Sequence, residues 1–192
     1  MKTLLLVIDF INDIVHPDGK RSATSIYVAD NHVMQHANEV IAIARKKEIP
    51  IVHVKVGFSS NYIECPSNSP LFATSKADKA LQLGEWGTEF HQMMNVSAED
   101  TIIVKHRVSA LYATPLEAIL KANQIDTVIV TGVSTNMAVD TVTRELHDRD
   151  YNVIVVKNAC GAATLEAHEA TVATLRRIAN VCEDSDLNNI LS

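Results

Sequence analysis

Long apolar runs, paired cysteines, a net positive charge and repeats are all missing from this chain of 192 residues, and each absence narrows what it can be. No apolar stretch reaches the roughly 20 residues that cross a bilayer. The N-terminal MKTLLLVIDF joins a basic residue to a short apolar run, but the run breaks at Asp9 and no small-residue cleavage site follows, so it reads as a first strand. The three cysteines, Cys65, Cys160 and Cys182, are odd in number and lack metal-ligand spacing, which argues against a disulfide framework and for a cytoplasmic protein. A formal net charge of −6 makes phosphate-backbone binding a poor expectation, so neither nucleic acid nor a membrane is an expected partner. No long polar tract and no internal repeat interrupts the chain. With 47% hydrophobic and 21% charged residues, it should form one ordered globular domain over 1–192.

What is present is alternation. Residues 3–8, 51–56, 101–104, 125–131 and 152–156 are apolar, β-branched runs of the kind that form parallel strands buried on both faces, and a short strand near Val181 would close the sheet. Helical spacing appears at 28–47, 115–122, 136–148 and 165–179, the first ending in basic residues that suit the helix dipole. The expected fold is α/β, an open and mostly parallel sheet with helices on both faces. Residues 10–26 read as a loop. Residues 57–95, with Pro66, Pro70, Gly84 and Gly87 scattered through polar sequence, follow neither period; so long a loop reads as a pocket wall or lid, or else as an oligomer contact.

By this pattern the chain is arranged around residues 127–139, TVIVTGVSTNMAV. Gly132 is expected to turn the chain sharply, and Thr135 or Asn136 to cap the following helix, whose first N–H groups would face an oxygen carrying negative charge. Asp9 and Lys105 each end a buried strand, where a charged side chain is hard to explain by packing. Tuned by burial and by a neighbouring cation, Asp9 would serve as a general acid or base; the bland alternatives are a turn-forming aspartate and a snorkelling lysine. Trp86, Arg107 and Arg144 would meet a planar or anionic ligand, or serve as surface and packing residues. Cys160 reads as a small buried hydrophobe. His53 alternates with valines and reads as structural, whereas His32, His36, His147 and His168 fall on helices and read as solvated. Apolar residues beyond one core face in the last helices (Leu175, Ile178, Val181, Leu187, Ile190, Leu191) suggest a homo-oligomer with isologous pairing.

Three segments carry a family resemblance. LLVIDFINDI resembles the LLVIDMQNDF opening of the isochorismatase-like hydrolases, or cysteine hydrolase superfamily; VKHRVSALYATPL resembles their second motif, a lysine followed by Arg-x-Ser-Ala-Phe-x-x-Thr-x-Leu; and GVSTNMAV resembles their third, Gly-Val-x-Thr-x-x-Cys-Val. The resemblance implies a three-layer α/β/α domain with a six-stranded sheet in the order 3-2-1-4-5-6, which sets the ends of the first and fourth strands side by side. It implies a non-proline cis peptide between Val133 and Ser134, with N–H groups of Ser134 and of residue 138 aimed at a developing oxyanion. It also implies a small-molecule substrate. The Asp-x-His-x-x-His metal site of the nicotinamidases in this superfamily has no counterpart, since the region reads HVKVGFSS, and neither metal nor cofactor is expected.

The departure is at Ala138, where the resemblance places the nucleophilic cysteine; Ile11 and Leu111 replace the usual glutamine and phenylalanine. Three readings follow. In one, cysteine is native at 138, this chain is a Cys→Ala replacement without turnover, and the thiolate attacks an amide or ureido carbonyl with Asp9 as base and Lys105 as its partner. In another, alanine is native and Asp9 protonates a vinyl ether, as in isochorismatases, with no nucleophile needed. In the third, the crevice binds a small molecule and catalyses nothing.

Overall fold

The computed structural model describes residues 1–192. Its strands are β1 (Thr3–Ile8), β2 (Ile51–Val56), β3 (Thr101–Lys105), β4 (Thr127–Val133), β5 (Asn152–Gly161) and β6 (Asn180–Cys182). Between them lie α1 (Asn12–Val15), α2 (Ser25–Asp30), α3 (Val33–Lys46), α4 (Ser75–Asp78), α5 (Leu116–Ala122), α6 (Asp140–His147), α7 (Leu165–Leu175) and α8 (Asp184–Ile190), with a 3-10 turn at Trp86–Thr88 and a π turn at Thr135–Val139. All strand pairs are parallel, in the order β3-β2-β1-β4-β5-β6. The fully buried β1 and β4 are central, which is why they read as uninterrupted apolar runs.

Alternate residues of the strands feed two cores. Leu4, Leu6, Val128 and Val130 pack under α5 and α6, while Leu5, Val7, Ile129 and Ile154 pack under α3 and α8. A third, smaller cluster joins Phe58, Tyr62, Phe72 and Leu81 of the long 57–95 segment to Val56 at the end of β2, and the Tyr62 hydroxyl donates to the Ala80 carbonyl at 3.0 Å. That segment is therefore a packed wall with its own apolar centre. No helix is long and apolar enough to cross a membrane.

Four local expectations are corrected. The helix expected over 28–47 is two: α2 ends at Asp30, where His32 takes a left-handed backbone (φ 51°) and Asn31 donates its side-chain amide to the Tyr27 carbonyl, and α3 starts afresh at Val33. The loop expected over 10–26 holds α1 and the start of α2. Gly132 does not turn the chain. It continues β4 to Val133 and pairs with Ile8, where a side-chain carbon would sit 2.5 Å from the Ile8 carbonyl oxygen, so glycine is needed for close approach of β1 and β4. Finally, the apolar residues read as lying beyond one core face are at least partly taken up by the two cores: Leu175 and Leu187 are buried in them, and Ile178, Val181, Ile190 and Leu191, partly buried, pack against them.

Candidate active site

The carboxyl ends of β1, β3 and β4 converge on one crevice, as expected at the point where strand order reverses in an open parallel sheet. The crevice is a cavity of about 490 Å³ whose wall includes Asp9, Lys105, Arg107, Val133, Ser134 and Ala138. Asp9 leaves β1 through a left-handed residue (φ 61°), which swings its carboxylate across the strand ends. One carboxylate oxygen accepts the Val56 N–H at 2.8 Å and the other pairs with the Lys105 ammonium at 2.8 Å. Lys105 also donates to the Val108 carbonyl at 2.7 Å, and both charged groups are almost wholly buried. Burial pushes the Asp9 carboxyl above its ordinary 3.8, against the opposing pull of the lysine and the two hydrogen bonds.

Beside this pair, the chain leaves β4 through a cis peptide between Val133 and Ser134 and enters the π turn. The Ser134 carbonyl accepts the N–H groups of Met137 and Val139 at 3.1 and 3.3 Å, and the Ala138 methyl faces the cavity. The expected cap is corrected here. Ser134 begins the turn with no side-chain cap, and Thr135 instead hydrogen-bonds through its hydroxyl to Nδ1 of His168 on α7, at 2.9 Å. His168 is accordingly buried and not solvated, and burial holds its imidazole below the usual range. His53 is buried as expected, with Nε2 3.1 Å from Asp100.

Trp86 is not at the cavity. It is half-exposed on the 3-10 turn, packs edge-on to His16 at 5.1 Å between centroids, and receives the Asn12 side-chain amide on its carbonyl, so packing against α1 fixes it elsewhere. Arg144 is likewise apart, paired with Asp140 one turn earlier on α6. Cys160 lies buried in β5 opposite Gly132, its thiol pushed up to about 12 by burial, and Cys65 lies in the 57–95 wall. No group of three or more histidine, cysteine or acidic side chains is placed to hold a metal ion.

Sequence reasoning missed the hub of the wall. Asp13 on α1 is buried and accepts the backbone N–H of Lys20 at 3.1 Å and that of Leu81 at 2.6 Å, while its carbonyl accepts the Arg21 N–H at 2.8 Å. It thereby hooks two segments that line the cavity to a single turn. Glycine is needed beside it at two places: a side-chain carbon added at Gly87 would sit 2.5 Å from the Asp13 carboxylate, and one added at Gly19 would sit 2.5 Å from the Asp13 carbonyl oxygen.

The isochorismatase domain family matches residues 3–186. The chain is 30% identical over 190 residues to YecD of Escherichia coli, an uncharacterized isochorismatase family protein, covering 98% of this chain and 96% of that one. It is 28% identical over 170 residues to a ureidoacrylate amidohydrolase, RutB, of Methylorubrum extorquens, covering 82% of this chain and 68% of the relative. In structure it superposes on an isochorismatase family protein of Desulfovibrio vulgaris with a TM-score of 0.87, at 21% identity, over 99% of this chain and 98% of the other. Sheet order, crevice and sequence agree: the chain belongs to the isochorismatase family of hydrolases.

Proposed function

We propose that this fold hydrolyses a C–N bond of a small amide or ureido compound when residue 138 is cysteine, and that the alanine chain binds the same substrate without turnover. The observation that carries the reading is the buried Asp9–Lys105 pair, 2.8 Å apart, in the cavity that Ala138 lines. A thiol at 138 would give its proton to Asp9, and the thiolate would attack the substrate carbonyl carbon. Lys105 holds the carboxylate in place, and N–H groups at the turn after Val133 and Ser134 would receive the oxyanion. Return of the proton to the leaving nitrogen breaks the C–N bond, and water then hydrolyses the thioester. The amidohydrolase name of one relative supports the same chemistry.

A second reading rests on Asp9 alone. A carboxyl raised by burial suits proton donation to a vinyl ether, which needs no nucleophile and leaves alanine at 138 unremarkable.

One experiment separates these readings. The parent and Ala138→Cys are assayed against a panel of amides, ureido compounds and isochorismate, with iodoacetamide alkylation reporting thiolate character. Ala138→Cys should hydrolyse an amide or ureido compound on the order of a thousandfold faster than the parent. A parent that cleaves isochorismate while the cysteine variant hydrolyses no amide would overturn the first reading in favour of the second. Binding without turnover by either protein would leave a binding module.

A further inference from the structure

Four cationic side chains line the cavity, Lys20, Arg21, Lys105 and Arg107, against the one carboxylate of Asp9. Two of the four are already neutralised, Lys105 by Asp9 and Arg21 by Asp78, each at 2.8 Å. Lys20 donates to the Lys79 carbonyl at the exposed rim. Arg107 is different. Its Nη1 is held by two carbonyls, of Glu64 at 2.8 Å and of His106 at 2.6 Å, and no carboxylate of the chain pairs with it. One nitrogen is pinned, so the guanidinium plane is fixed before any ligand arrives, while Nε and Nη2 have no protein acceptor. A fixed fork with a free edge is the geometry that takes a carboxylate through two parallel hydrogen bonds.

Leu71, Phe72, Leu81, Val108 and Met137 make much of the rest of the wall apolar, with Ser22, Thr24, Ser134 and Asn136 set among them. A cavity of about 490 Å³ has room for roughly sixteen water molecules. A ureido acid of a few atoms would leave most of that space wet, whereas a leucine- or phenylalanine-sized group would replace the water against these side chains.

We infer that the substrate of this site is an N-carbamoyl or N-acyl amino acid with a large apolar side chain, its carboxylate held by Arg107. The inference rests on the amide-hydrolase reading for the scissile end, and Arg107 acts as a specificity residue that touches substrate away from the reacting carbon.

Binding to the alanine chain tests it without interference from turnover. Calorimetric titration would compare N-carbamoyl-leucine, as each enantiomer, with its carboxamide and with N-carbamoylglycine. The better leucine enantiomer should bind at least about tenfold more tightly than its carboxamide, and about tenfold or more tighter than the glycine compound. Arg107→Met should bring the acid down to the carboxamide, and Arg107→Lys should fall between, with melting temperatures confirming that each variant is folded. Equal binding of acid and carboxamide by the parent overturns the inference, as does a preference that survives in Arg107→Met, or no binding by any of the three compounds. The amide-hydrolase reading is judged separately, by turnover of plain amides in Ala138→Cys. Failure of one is therefore distinguishable from failure of the other.

Discussion

Asp9 and Lys105 form a charged pair that is costly to bury. Two charges taken out of water recover the desolvation penalty only through close pairing and further hydrogen bonds, and here the Val56 N–H and the Val108 carbonyl supply one to each partner. Removing one partner should therefore hurt more than removing both. Asp9→Asn leaves the lysine buried beside an uncharged amide and is expected to cost about 3 kcal/mol or more, whereas Asp9→Asn with Lys105→Met should regain a large part of it. Urea titrations of the two variants decide this; a single variant within about 1 kcal/mol of the parent would show the pair to be energetically slack. The pair resists explanation by stability, because a well-packed apolar couple would serve at least as well. At Ala138 the reverse holds: alanine and cysteine differ by one small group, so the exchange alters chemistry and leaves the fold nearly untouched.

The seam between β1 and β4 depends on Gly132, which combines a φ of 144° with a contact that excludes a side chain. Gly132→Ala should cost about 2–4 kcal/mol, backbone strain and overpacking together. Gly84 supplies the control, because its φ of 86° carries the strain with nothing within 4 Å of the added methyl. Gly84→Ala should cost only about 1 kcal/mol; equal losses in chemical denaturation would sink the close-approach account. These elements also mark how far sequence reading reaches. Strands buried on both faces were legible as apolar runs, and Asp9 and Lys105 were legible because a charge ending such a run has few structural uses. The close approach of Gly132 to Ile8 and the hold of His168 on Thr135 were not. Each depends on a neighbour far along the chain, and local patterns carry no record of it. Trp86 misled for the same reason: a lone aromatic in a long loop looks available until His16 and Asn12 are seen to occupy it.

At the scale of the whole molecule, three histidines shape the response between pH 7.5 and 5.5. Burial lowers His53, His91 and His168 below the ordinary 6.5, so the unfolded chain takes up protons first as the pH drops. Their contribution is complete above 6.5 and is lost as pH falls through the lowered values. Asp9 works the other way: raised in the fold, its contribution is complete below 3.8 and lost as pH rises through its folded value. With three groups against one, the urea midpoint should be lower at pH 5.5 than at pH 7.5, and an unchanged or higher midpoint at pH 5.5 would refute the assignment. The order of the strands has a further consequence, for synthesis. Since β1 lies between β2 and β4, the first strand to leave the ribosome lacks one neighbour until residues 127–133 have been made. Asp9 is translated early, but the turn it faces comes more than a hundred residues later, so no shorter N-terminal piece holds both halves of the crevice. Such a fold cannot be assembled as a ribbon that grows from one edge. It must close around its oldest strand, and such distant pairings are the slow ones for a folding chain.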